Sequence, residues 1–151
     1  MFDSFKKLFK HKDNTSDDNY IFVSKSEFNE ELKSNIIALE KLGEHWSTVL
    51  QRNYVTEFES HGKQNLRIWI CRDIDGDEIE ELTSENCLEK EYRSQIAINY
   101  EGPKHDDDFY ADTISLWYYY SGFPNSSGTL FDQSKNDLKA AIEEALKVLL
   151  N

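Results

Sequence analysis

The stretch Ile114-Ser-Leu-Trp-Tyr-Tyr-Tyr120 carries the strongest strand signal in the chain, because it is built almost entirely from β-branched and aromatic residues. Strict alternation predicts Ile114 and Leu116 on one face of this strand, with Trp117 and Tyr119 on the other. Large side chains on both faces indicate a strand inside a sheet that is covered on each side. We expect a helix to cover one face, and either a helix or a partner's surface to cover the other.

The hydrophobic pattern around this strand predicts an α+β fold. Successive strands are joined by turn-like links, which favours an antiparallel sheet of about five strands with an N-terminal and a C-terminal amphipathic helix packed on it. Residues 84–93 are expected to form a short helix or a loop. The other expected elements are a helix from Ser26 to about residue 50, strands at Tyr54–Glu59, Leu66–Arg72, Ile79–Leu82, Gln95–Tyr100 and Ile114–Tyr120, and a final helix that Ser134 and Asp137 cap.

The chain is expected to divide into an N-terminal segment, 1–19, and a single α+β domain, 20–151. Within residues 1–12, four apolar residues at helical spacing lie opposite four lysines, and residues 13–19 form a polar linker. A basic amphipathic helix of this kind binds a membrane surface, docks its apolar face on the domain, or pairs with acidic loops.

The charge balance favours some partners over others. A formal net charge of −12 and a pI near 4.7 disfavour nucleic acid, and they disfavour an anionic membrane except through residues 1–12. The segment from Asp73 to Glu91 contains nine carboxylates and one lysine, so it accounts for −8 of that charge. Such a segment favours a basic protein partner, although a solvated surface that maintains solubility has the same composition.

Asp75-Gly76 predicts a turn inside this acidic segment. A two-residue loop would place Asp73 directly opposite Glu78, and a like-charge pair of this kind is destabilising. We therefore expect a longer, irregular turn, or one that binds a cation. The spacing of the aspartates resembles the start of an EF-hand calcium loop, but Glu78 and Ser84 stand where that loop needs Gly and Glu.

No motif in the sequence indicates a particular enzymatic reaction. Cys71 and Cys87 are separated by fifteen residues and the four histidines are scattered, so neither a zinc site nor a disulfide scaffold is indicated. Cys71 is expected to be a core thiol. We predict no catalytic, cofactor-binding or metal-binding residue, and no enzyme activity. Reduced thiols and the lack of a long apolar run favour a soluble protein of the cytoplasm.

Exposed aromatic rings and carboxylates define the predicted protein-binding surface. If the sheet face that carries the rings is open, its Trp and Tyr side chains are typical anchors of an interface; if a helix covers it, they are core residues. The candidate partner-binding residues are Trp69, Asp73, Asp75, Asp77, Glu78, Glu80, Glu81, Asp106, Asp107, Asp108, Trp117 and Tyr119.

In its size, acidity and lack of catalytic motifs, the chain resembles bacterial toxin-immunity proteins. The resemblance implies a cytoplasmic protein that neutralises a basic toxin, such as a nuclease, by covering its active site. The order of the predicted elements is also similar to that of dimeric acidic secretion chaperones, which hold an effector segment in an extended form. A membrane-peripheral factor that uses residues 1–12 and an enzyme built from dispersed residues are the remaining alternatives.

Overall fold

A computed structural model describes residues 19–102, 110–122 and 125–151. These residues form one antiparallel sheet with the strand order β1-β6-β5-β4-β2-β3, together with two α-helices. The predicted α+β class is confirmed, and the sheet has six strands where about five were expected. The elements are β1 (Tyr20–Ser24), α1 (Glu30–Ser60), β2 (Gln64–Ile74), β3 (Asp77–Glu78), β4 (Tyr92–Glu101), β5 (Asp112–Tyr120), β6 (Ser127–Phe131), α2 (Leu138–Leu150) and short 3₁₀ turns at Lys25–Glu27 and Ser84–Asn86.

Helix α1 is longer than the sequence predicted, and the strand expected at Tyr54–Glu59 is wrong. Leu50 and Phe58 are both buried, so the i, i+4 spacing that starts the helix continues through its last two turns. Within Tyr54–Glu59, the residues at 54, 56 and 58 also alternate with those at 55, 57 and 59, which is why this stretch was compatible with a strand. Asn29 caps the start of the helix, and its side chain accepts a hydrogen bond from the Leu32 amide at 2.9 Å.

Both helices pack on the same face of the sheet. Helix α1 lies over β2 with the backbone of Gly43 close to the sheet, since a Cβ there would come within 2.9 Å of Ile70 Cδ1 and 3.0 Å of Ile96 Cδ1. Helix α2 packs against α1 and β5. Within the residues that the structure describes, neither helix contains a stretch long and apolar enough to cross a membrane.

A β-bulge in β5 overturns the predicted faces of Trp117 and Tyr119. Ser94 of β4 pairs with Trp117, but the next residue, Gln95, pairs with Ser115, so Leu116 is an extra residue in β5. The alternation therefore shifts by one residue at the bulge. The expectation that these two rings lie opposite the aliphatic row is wrong: Trp117 is fully buried and Tyr119 nearly so.

After the bulge, the two rings contribute to the core on the helical side of the sheet. The ring of Phe28 lies edge-on to Trp117 at 5.5 Å and to Tyr119 at 4.8 Å between centroids. The Trp117 Nε1 group donates a hydrogen bond to the Cys87 carbonyl at 2.8 Å. On the neighbouring strand, Gly128 lies beneath the indole and leaves no space for a side chain.

Two strands, β1 and β6, were missed by the sequence analysis. The segment around β6 contains Ser127-Gly128-Thr129, which is typical of a turn, and β1 directly follows a polar stretch. Each strand is only five residues long, and they pair with each other at one edge of the sheet.

The weak element expected at 84–93 is a 3₁₀ turn at Ser84–Asn86 followed by irregular chain.

Replacing Gly128 with Ala tests the placement of Trp117. A Cβ at this position would lie 2.2 Å from the indole, and the fully buried ring has no room to move. We expect a loss of about 1–3 kcal/mol in the free energy of unfolding, measured by denaturant titration. Gly43→Ala is the control, because its Cβ meets only the ends of flexible side chains and gains helix propensity. A neutral Gly128→Ala variant would contradict the buried position of Trp117.

Candidate functional site

The β2–β3 hairpin is tighter than the sequence predicted. Ile74 pairs with Asp77 and Asp73 pairs with Glu78, so the loop consists of Asp75 and Gly76 alone. Both loop residues have positive φ angles, 52° and 86°, which is the backbone conformation of a type I′ turn. The expected longer, irregular turn is therefore wrong, and the like-charge pair that argued against a short loop is present.

Arg93 explains why this like-charge pair is tolerated. The Asp73 carboxylate is buried, and its Oδ2 atom accepts hydrogen bonds from both Nε and Nη2 of Arg93 at 3.0 Å. Its Oδ1 atom accepts from the Gly76 amide at 3.3 Å, which also holds the turn. The guanidinium neutralises Asp73 from the neighbouring strand, so Glu78 on the other side opposes a compensated charge. Sequence reasoning missed Arg93, because only the β2–β4 register places it beside Asp73.

An aromatic cluster joins the hairpin to the face of the sheet opposite the helices. Trp69 lies on that face, half-buried, with the Arg67 guanidinium 4.3 Å from its ring centroid. The ring of Tyr110 packs edge-on against Trp69 at 5.1 Å. The Tyr110 hydroxyl donates a hydrogen bond to the Glu78 carboxylate. The cluster thus fixes the orientation of Glu78 relative to the sheet.

The carboxylates of the segment 73–91 fall into two groups. Asp73, Glu78, Glu85, Glu89 and Glu91 are each bonded to a side chain, respectively of Arg93, Tyr110, Lys33, Asn86, and Tyr118 together with Ser121. Asp75, Asp77, Glu80 and Glu81 are exposed and form no side-chain hydrogen bond or ion pair with any described residue. These four unpaired carboxylates, with the exposed Ile79 among them, are named here the acidic surface.

A buried carboxylate on α1 holds the chain that follows the hairpin. Glu40 is fully buried, and its Oε1 atom accepts hydrogen bonds from Arg72 Nε and Ser84 Oγ, both at 2.9 Å. Its Oε2 atom accepts from the Tyr92 hydroxyl at 2.8 Å. Burial and the charge of Glu40 raise the pKa of Tyr92, so this hydroxyl remains a hydrogen-bond donor. Three donors from separate elements thus satisfy one buried charge.

A second carboxylate holds the C-terminal end of the acidic segment. Glu91 accepts hydrogen bonds from the Tyr118 hydroxyl at 3.3 Å and from the Ser121 amide at 3.0 Å. Burial and the neighbouring Glu91 raise the pKa of Tyr118 to about 12. The acidic segment is therefore bonded to β4 at its start, α1 in its middle and β5 at its end.

The structure separates the described members of the predicted partner-binding residues into three sets, and a fourth set lies outside the described residues. Trp69, Asp73 and Glu78 are brought together beneath the hairpin through Arg93 and Tyr110. Trp117 and Tyr119 lie in the core and are not at the surface. The remaining members are the acidic surface, formed by Asp75, Asp77, Glu80 and Glu81, and the run Asp106, Asp107 and Asp108, which lies outside the described residues, as does the basic segment 1–12.

The structure gives both cysteines, and the first aspartate of the calcium-like spacing, a structural role. Cys71 and Cys87 are buried, and burial raises their pKa values to about 11 and about 12. Their thiolates are thus strongly disfavoured at neutral pH. Asp73, which an EF-hand loop would use as a ligand, is bonded to Arg93. No group of three or more His, Cys, Asp or Glu side chains in the described ranges is arranged to hold a metal ion.

Comparison with protein-family models, with curated proteins and with solved structures finds no match to this chain.

Removing Arg93 tests whether it supports the hairpin. In Arg93→Met, the buried Asp73 faces Glu78 without a neutralising charge, so we expect a loss of about 1–3 kcal/mol in the free energy of unfolding. The loss should be moderate because the Arg93 side chain is 40% exposed. Adding Glu78→Gln should recover part of it, whereas Glu78→Gln alone should have little effect. A denaturant-based double-mutant cycle with no coupling would contradict this account.

Thiol reactivity tests the burial of the two cysteines. At about pH 8 we expect Ellman's reagent to react slowly with both thiols of the folded protein and rapidly after denaturation. The pKa of Cys71 is raised from 9.0 to about 11, so the unfolded chain loses this proton first. This thiol's contribution to stability is therefore complete below about pH 9 and lost as the pH rises towards 11. Rapid labelling of either thiol in the folded protein would show that it is not buried.

Proposed function

We propose that this protein acts by binding a basic partner protein through its acidic surface, and that it has no catalytic activity of its own. The observation that carries the proposal is the exposure of Asp75, Asp77, Glu80 and Glu81, which flank Ile79 along the chain. These carboxylates are unpaired among the described residues, and Ile79 between them in sequence is 43% exposed. Unpaired carboxylates attract a basic protein towards this surface. Burying an apolar side chain such as Ile79 against the partner then contributes favourable binding free energy.

The rigidity of the supporting structure favours binding over a solubilising role. The acidic segment is held by Glu40 in its middle and by Glu91 at its end, and its hairpin is held by Arg93. A surface that only maintains solubility does not need a fixed backbone. A fixed backbone beneath the exposed carboxylates, in contrast, lowers the entropic cost of binding, because less of the chain becomes ordered when the partner arrives.

Toxin immunity is the form of this function that we propose. The chain resembles bacterial immunity proteins in its size, its acidity and its lack of catalytic motifs. In this role it would neutralise a basic toxin, such as a nuclease, in the cytoplasm. Nucleic acid is not a partner in this proposal, since a net charge of −12 repels its phosphates.

Capture from a lysate of the source cells, with a charge-neutralised variant beside the wild type, tests the proposal. The variant is Asp77→Asn, Glu80→Gln, Glu81→Gln, which removes three charges from the acidic surface. We expect the wild type to retain a basic protein at low salt and the variant to retain much less of it. The captured protein should be toxic when expressed alone, and co-expression of the wild type should relieve the toxicity better than the variant does.

The matched control removes the same number of charges from exposed helical positions. Glu57→Gln, Glu59→Gln, Glu144→Gln changes the net charge equally and leaves the acidic surface intact. It should capture and protect as the wild type does. Equal loss in both variants would mean that only the net charge matters. A captured protein that is not toxic would contradict the immunity proposal while leaving protein binding in place.

A further inference from the structure

The hairpin leaves most of strand β2 without a neighbour on its outer side. Strand β3 pairs only with Asp73 and Ile74, and no other described strand lies beyond β2. At the start of β2, the pairing with β4 is irregular between Gln64 and Arg67, and Asn65 has a φ of 56°. The part of β2 that pairs regularly with β4 and has no described strand on its other side is therefore Ile68–Arg72, which ends directly at the hairpin.

The hydrogen bonds of the ladder identify the backbone groups on this edge. The Asp75 amide donates to the Glu91 carbonyl at 3.1 Å, so the odd-numbered residues of β2 bond to β4 and the even-numbered ones point outward. The outward amide of Ile68 is already bonded, because it donates to the Gln51 side chain of α1 at 2.8 Å. Ile70 and Arg72 point outward with their amides and carbonyls, and no hydrogen bond from their backbone to a described residue on that side is present.

We propose that the edge Ile68–Arg72 receives an extended, basic segment of the partner protein as an additional strand of the sheet. This inference rests on the proposed function, because the acidic surface supplies the charge that selects the occupant. An added strand would lie in line with β3 and would end beside the hairpin and its acidic surface, where lysine or arginine side chains are favoured. Backbone hydrogen bonds would provide the register and the carboxylates the preference for a basic sequence.

A pair of synthetic peptides tests the proposal on the full-length protein. The first is a short acetylated peptide of alternating lysine and valine, long enough to span Ile68–Arg72. The second has the same sequence but is N-methylated at two adjacent central residues. The methyl groups remove an amide donor on each side of the extended peptide without changing its charge. Binding is followed by NMR titration, together with hydrogen exchange of the Ile70 amide. At about nine-tenths saturation by the first peptide, exchange at Ile70 should slow by roughly tenfold.

The expected result is that the first peptide binds and protects Ile70, while the methylated peptide binds at least about tenfold more weakly. Equal binding of both peptides without protection of Ile70 would overturn the proposal, and so would a failure of the unmethylated peptide to bind. The variant Asp77→Asn, Glu80→Gln, Glu81→Gln separates the two proposals. If the two peptides bind the wild type equally and the variant weakens both, the acidic surface binds basic chains by charge alone and the proposed function stands without strand addition.

Discussion

The buried carboxylate of Glu40 is the constraint on which the arrangement of this protein depends. A charge that is fully removed from water is stable only if hydrogen bonds replace its hydration, and Arg72, Ser84 and Tyr92 provide them. These donors come from β2, from the 3₁₀ turn and from β4, so satisfying one carboxylate fixes the helix over the sheet and the acidic segment against the helix. The acidic segment from Asp73 to Glu91 consequently begins and ends at points that are bonded to the core.

A second buried charge performs the same task for the hairpin. Asp73 is neutralised by Arg93 across the sheet, which allows the short turn to bring Asp75, Asp77 and Glu78 close together without a prohibitive cost. The carboxylates of the segment therefore divide into those that support the structure and those that face solvent. Only the second group is available to a partner. This division connects the electrostatics of folding with the proposed function, because the repulsion that remains in the acidic surface is relieved when a cationic protein binds.

The sequence was sufficient for the features that depend on local patterns. It predicted the α+β class, the antiparallel sheet, β5, the final helix and the turn at Asp75-Gly76. It failed where a tertiary contact decides the outcome: the bulge at Leu116 depends on pairing with β4, and the tight turn depends on Arg93, which is twenty residues from Asp73. The helical spacing through Phe58 was also compatible with a strand, and the short strands β1 and β6 at one end of the sheet lack a strong alternating pattern. For the candidate site, the acidic residues could be read from composition, whereas Arg93, Tyr110 and Glu40 required the fold.

The central claim is that the carboxylates at Asp77, Glu80 and Glu81 steer a basic protein to this surface. It is tested most directly by measuring the association rate of the captured partner at a series of ionic strengths. Electrostatic steering predicts a rate that falls steeply as salt is added for the wild type, and a slower rate with a much shallower dependence for Asp77→Asn, Glu80→Gln, Glu81→Gln. Rates that are equal for the two proteins at every salt concentration would contradict the claim.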